Sequence, residues 1–162
     1  SVGVKTSTAV MVVSLLQIVS APARPMYGWL ADKYRKSYVL AASLLLTSVA
    51  LFLFSLIDGN SSLSFIILFV IVYALGVGGV MPIRVSIIRE YFGTKRFGSI
   101  FGISSIFFTV GSIIGPPLTG LVFDIRGVYD PIWLIFSIGT LAGVVLALMI
   151  PPPPKSSPPV LS

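Results

Sequence analysis

The chain of 162 residues contains no cysteine and no histidine. Without cysteine there is no disulfide framework, no thiolate nucleophile and no thiolate metal site. Without histidine the usual general base, metal ligand and pH switch are missing. Acidic residues are scarce. Asp32, Asp58, Glu90, Asp124 and Asp130 are all of them, and none lies within a helical turn of another. No catalytic constellation, cofactor site or metal site is expected from such a set, so an intramembrane enzyme is a distant reading.

Charge is also sparse, at 10% of residues against roughly 25% in an average soluble domain. What fills the space is apolar: 56% of the chain is hydrophobic and the mean hydropathy is +1.03. A soluble domain exposes surplus apolar surface to water; here the surplus must face lipid. The composition therefore predicts an all-α integral membrane protein. The net charge of +6 belongs to the loops of such a protein, where it sets orientation. It implies no nucleic-acid partner.

A membrane helix needs about 20 mostly apolar residues. Stretches free of charge run over Thr6–Ala23, Ser37–Ile57, Gly59–Ile83, Phe97–Phe123 and Pro131–Pro154. They lack the period-two alternation of barrel strands. Five transmembrane helices are expected, over about 7–30, 37–57, 62–87, 97–123 and 131–150, giving a transmembrane bundle over 1–150. The Asp58–Ser61 turn, a short charged loop at Asp32–Lys36, a longer one at Arg89–Arg96 and a turn at Gly127–Pro131 separate them. Residues 151–162 read as an extended Pro-rich tail.

Lys33, Arg35, Lys36, Arg84, Arg89, Lys95, Arg96 and Lys155 fall on one side of this arrangement, and Lys5 and Arg126 on the other. The asymmetry predicts the N-terminus outside and the C-terminus cytoplasmic, in a plasma or inner membrane. An odd helix count does not divide into repeated three-helix units. With a first residue of Ser1 and no signal-peptide pattern, the chain reads as part of a longer one.

Helix one ends in Gly28-Trp29-Leu30-Ala31-Asp32-Lys33-Tyr34-Arg35-Lys36. This resembles the loop signature of the major facilitator superfamily, Gly-x-Leu-Ala-Asp-Arg-x-Gly-Arg-Arg. Gly28, Leu30, Ala31 and Asp32 match in place, Lys33 and Lys36 stand for arginines, and Arg35 replaces the loop glycine. Pro82, then Arg89-Glu90-Tyr91-Phe92-Gly93 and Phe97-Gly98-Ser99-Ile100-Phe101-Gly102, resemble the family's connection between helices ten and eleven, and Gly111–Gly120 resembles helix eleven. The resemblance implies a partial C-terminal bundle, helices eight to twelve of a twelve-helix fold, with the N-terminal helix bundle missing.

Arg24-Pro25-x-x-Gly28 is similar to the eighth helix of monocarboxylate and oxalate/formate-type carriers, where the Arg binds the substrate carboxylate. Monocarboxylate carriers often place Asp four residues before the Arg; here it is Ser20. Oxalate-type carriers add a lysine in helix eleven, and 97–123 has none. The resemblance thus implies secondary transport of a small solute, a monocarboxylate anion in preference to oxalate, by alternating access. A non-transporting five-helix scaffold or assembly subunit is the rival.

Arg24 shares a helical face with Gln17, Ala21 and Gly28. That face suits a hydrated cavity, and an intramembrane charge defaults to function. Arg24 also lies about 6 Å inside the helix end at 1.5 Å per residue, within snorkelling reach of the interface. Tyr73 offers a hydroxyl to the same anion, or packs. Ser105 and Thr109 share a face with Gly98, Gly102, Ser112 and Pro116; it lines a cavity or packs against another helix. Gly76, Gly78 and Gly79 read as a flexible stretch, and Pro116-Pro117 as a kink. Gly28, Asp32, Arg35 and Lys36 form a candidate gating loop, in which Asp32 latches onto a helix N-terminus, or else a solvated topogenic loop.

Overall fold

A computed structural model describes residues 6–56 and 63–153. The expected turn at 58–61, Lys5 and most of the expected tail, 154–162, lie outside the described residues. Four helices follow in order: α1 (Thr6–Lys33), α2 (Lys36–Ser55), α3 (Leu63–Arg126) and α4 (Asp130–Leu148). The second half of α3 turns back on the first. Its backbone departs from helical torsions at Gly93 (φ 68°, ψ 177°), which divides it into arms 63–92 and 94–126.

Among the described residues, three helices are long and apolar enough to cross a membrane: Lys36–Ser55, Ser64–Arg126 and Pro131–Leu148. The expected spans at 62–87 and 97–123 fall in the two arms of α3, on either side of the break at Gly93. The span at 7–30 coincides with α1, the most polar of the helices, with Gln17, Ser20 and Arg24 along its length. Through Pro116-Pro117 the backbone keeps helical torsions. A proline costs the helix one bond and does not by itself break it where neighbouring turns hold.

Packing is inside-out relative to a soluble bundle. α2 buries Ser37, Val39, Ala41, Ser43, Thr47, Ser48 and Ala50 and exposes Tyr38, Leu45, Val49 and Phe52. Lipid solvates the large side chains, so small and polar residues go between helices, where they allow close approach and bond across. α2 lies between the first arm of α3 and α4, and α1 covers the other side of that arm.

The seams are specific. Ser48 and Ser137 exchange hydrogen bonds between α2 and α4, each hydroxyl donating to the other's carbonyl oxygen at 2.8 Å. Ser43 Oγ donates to the Gly76 carbonyl at 2.6 Å. A Cβ on Gly76 would meet Thr47 Oγ1 at 2.5 Å and Thr47 N at 2.7 Å. Gly78 lies against Ser20 and Ala23, and Gly79 against Tyr27 and Ser43. The glycine triplet is therefore a packing seam rather than a flexible stretch. Ala23, Tyr27, Ala31, Val39 and Ile83 close the core beside it.

The arm 94–126 is bare by comparison. Ile103, Ile106, Phe107 and Ile113 are more than half exposed. A Cβ on Gly98, Gly102, Gly111, Gly115 or Gly120 would meet nothing within 4 Å.

Candidate functional site

The parallel run of α1 and the first arm of α3 leaves a cleft of about 450 Å³. The seam at Gly78 brings the two backbones together and fixes the register. Gln17, Ser20 and Arg24 of α1 face Tyr73, Val77 and Met81 of α3 across it. Three residues expected from the sequence, Gln17, Arg24 and Tyr73, thus meet in one place. Ser105 and Thr109 line no part of it. The Ser105 hydroxyl donates to the Phe101 carbonyl at 2.7 Å and that of Thr109 to the Ser105 carbonyl at 2.9 Å.

Arg24 is exposed to the cleft, and no acidic side chain lines it. Ser20, where monocarboxylate carriers often have an acid, donates its hydroxyl to the Gln17 carbonyl at 3.2 Å. The cleft therefore presents a cation, an amide and a phenol with no internal counter-charge among the described residues. Such a set matches a small anion by charge-assisted hydrogen bonds. An aromatic chain backs the Tyr73 side: Tyr73 stacks on Phe69, Phe69 meets Phe54 at a tilt, and Phe54 meets Trp133 edge-on.

The charged end of the bundle forms a second, smaller hollow of about 250 Å³, lined by Asp32, Arg35, Lys36, Glu90, Tyr91 and Pro153 among others. Here the expected gating residues do different work from one another. Lys36 Nζ pairs with Glu90 at 2.8 Å, tying the α1–α2 turn to the last turns of the first arm. Arg35 donates from Nη2 to the Ile150 carbonyl at 2.7 Å, beyond the end of α4, and Tyr91 donates to the Pro151 carbonyl. Asp32 is exposed in the same hollow and makes no ion pair among the described residues. Gly28 lies outside both hollows, with open space where a Cβ would sit.

Sequence reasoning missed two residues. Ser20 enters the cleft because it sits four residues, one helical turn, before Arg24; that spacing was readable. Arg84, counted only with the basic residues of the charged end, lies inside α3, where its Nη2 donates to Ser105 Oγ at 2.7 Å across the two arms.

The family model of the Major Facilitator Superfamily matches residues 1–161. Monocarboxylate transporter 2 of Mus musculus is 25% identical over 82% of this chain and 28% of its own length. Monocarboxylate transporter 13 of Rattus norvegicus is 27% identical over 88% of this chain and 33% of its own. The quinolone resistance protein NorA of Staphylococcus aureus is 27% identical over 82% of this chain and 33% of its own. The chain thus spans no more than about a third of the length of these relatives. Matched by the family model along almost its whole length, and built of helices apolar enough to cross a bilayer, it belongs to the major facilitator superfamily as an integral membrane protein.

Proposed function

We propose that this chain is the C-terminal part of a secondary transporter that moves a small monocarboxylate anion by alternating access. The observation that carries the reading is Arg24, open to a cleft that it shares with Gln17 and Tyr73 and that contains no acid. Arg24 holds the carboxylate; the Gln17 amide and Tyr73 hydroxyl orient it. The monocarboxylate transporters among the relatives support the substrate class, and NorA supports only the transporter class.

In this reading α1 and the two arms of α3 are three separate spans, which with α2 and α4 makes five, equivalent to helices eight to twelve. Residues 1–150 are the bundle and 151–162 the tail. The charged end lies in the cytoplasm, so the N-terminus is outside. The missing N-terminal bundle supplies the opposite wall of the cleft and rocks against this one. The Asp32 loop is its gate, held shut by Lys36–Glu90 and by Arg35 on the end of α4.

The test is uptake by the complete polypeptide that carries this segment, reconstituted in vesicles, of labelled acetate, propionate and butyrate. Arg24→Gln is expected to raise the KM by about 10-fold or more, the scale of a lost charged hydrogen bond, while Arg24→Lys loses less. Unaltered carboxylate KM in Arg24→Gln would remove the substrate site. A rival reading, a non-transporting assembly subunit, draws on the bare small-residue face of arm 94–126; stable association with another subunit in the absence of any solute uptake would favour it.

A further inference from the structure

We infer that Arg84 is a second anion-binding residue, one that receives the carboxylate between the Arg24 cleft and the charged end. The inference rests on the monocarboxylate reading above and adds a station to its path.

Position comes first. Val77 and Met81 line the cleft, and Arg84 follows them at spacings of seven and three, on the same helical face. Gly78 is level with Ser20 and Ala23, so Arg84, six residues on, lies about 9 Å nearer the charged end. Two further turns separate it from Glu90, which is already paired with Lys36.

The surroundings of the guanidinium come second. Nη2 donates to Ser105 Oγ. The Ser105 hydrogen is itself given to the Phe101 carbonyl, so Ser105 can only accept from Arg84. The guanidinium carbon stands 4.9 Å from the centre of the Phe101 ring. The buried Nε has no partner, and no acid pairs with Arg84 among the described residues. A full charge is therefore held in place by a hydroxyl and a ring, both neutral, with donors to spare. A planar guanidinium in that condition is a fork without its carboxylate. Arg35 also has a buried Nε without a partner, but it lies at the charged end, whereas Arg84 lies between the arms of α3.

Its place at the turn gives the site a further property. Arg84 is on the first arm, and its holders Phe101 and Ser105 are on the second. An anion received by the Arg84 guanidinium binds where the two arms meet, so its arrival is felt by both.

The experiment uses the complete polypeptide in phosphatidylcholine vesicles, with and without phosphatidylglycerol, and labelled propionate as the probe. Arg84→Gln is expected to raise the propionate KM by about 10-fold in either lipid, with the yield of folded protein unchanged and Arg84→Lys intermediate. Arg84→Cys provides a check by chemical rescue, because this segment has no cysteine of its own. 2-Aminoethyl methanethiosulfonate restores a cation and should lower the KM again, and methyl methanethiosulfonate should not; treated wild type is the control.

An unchanged KM in Arg84→Gln, beside a raised one in Arg24→Gln, overturns the inference and leaves the substrate cleft standing. Equal recovery with the neutral reagent overturns it too, since Arg84 would then only fill space between the arms. An effect confined to vesicles with phosphatidylglycerol overturns it in favour of a lipid headgroup. If Arg84→Gln does not fold, Arg84→Lys and the rescued Arg84→Cys decide by the same KM readout. Absence of carboxylate uptake by the wild type overturns the monocarboxylate reading, and this inference with it.

Discussion

At Gly76 the helices α2 and α3 come closer than any side chain allows. A methyl group there would stand 2.5 Å from Thr47 Oγ1 and 2.7 Å from Thr47 N. The hydroxyl can rotate away, but the backbone nitrogen cannot. Gly76→Ala is therefore expected to destabilise the bundle by about 1–3 kcal/mol, the usual cost of overpacking, read as a lowered midpoint of thermal unfolding in detergent. Gly28→Ala is the control, since its Cβ would meet open space. The glycines at 76, 78 and 79 were visible in the sequence, but their purpose was not. Glycine permits both flexibility and close approach, and the choice depends on whether Thr47, Ser20 and Tyr27 lie opposite.

At the scale of the element, α3 turns on one residue. Gly93 has φ 68° and ψ 177°, a region that only glycine occupies without strain. Gly93→Ala is expected to cost about 1–3 kcal/mol and to loosen the contact of Arg84 with Phe101 and Ser105. Spin labels at Val77 and Thr109 should then report a broader distance distribution between the arms; an unchanged distribution would show that the turn tolerates a Cβ. The charged stretch 89–96 looked like a loop because charge and a glycine usually mark one. The break is confined to Gly93, and the residues on either side of it keep helical torsions. Gly127, also at positive φ, ends the second arm, with its N–H donated to the Phe123 carbonyl at 2.7 Å, as a left-handed helix cap does.

For the molecule as a whole, the charged end is where elements distant in the chain are tied together. Lys36–Glu90, Arg35 to Ile150 and Tyr91 to Pro151 tie the α1–α2 turn, the first arm of α3 and the end of α4. Lys36 and Glu90 are partly exposed, so their pair contributes at most about 1 kcal/mol. Glu90→Gln in the complete polypeptide is expected to shift the balance of open and closed forms by up to about 5-fold. The measurement is the rate at which a cysteine introduced at Met81, in the cleft wall, reacts with a thiol reagent added from the charged side. A rate within experimental error of the Glu90 form would remove the pair from the gate.

The sequence by itself determined the solvent and the helices. Its surplus of apolar residues has nowhere to go but lipid, and lipid admits only backbones that satisfy themselves. It also determined the residue types of the cleft, because Gln17 and Arg24 share a helical face whatever stands opposite. Only the tertiary structure decided what stands opposite. Tyr73 joined that cleft, while Ser105 and Thr109 stayed with the second arm. Arg84 met Ser105 at the junction of the arms, and the ion pair fell to Lys36 and Glu90. Helical periodicity fixes neighbours within one helix; partners between helices depend on register, and here register is set by close contacts such as Gly76 on Thr47 and Gly78 on Ala23, far apart in the chain.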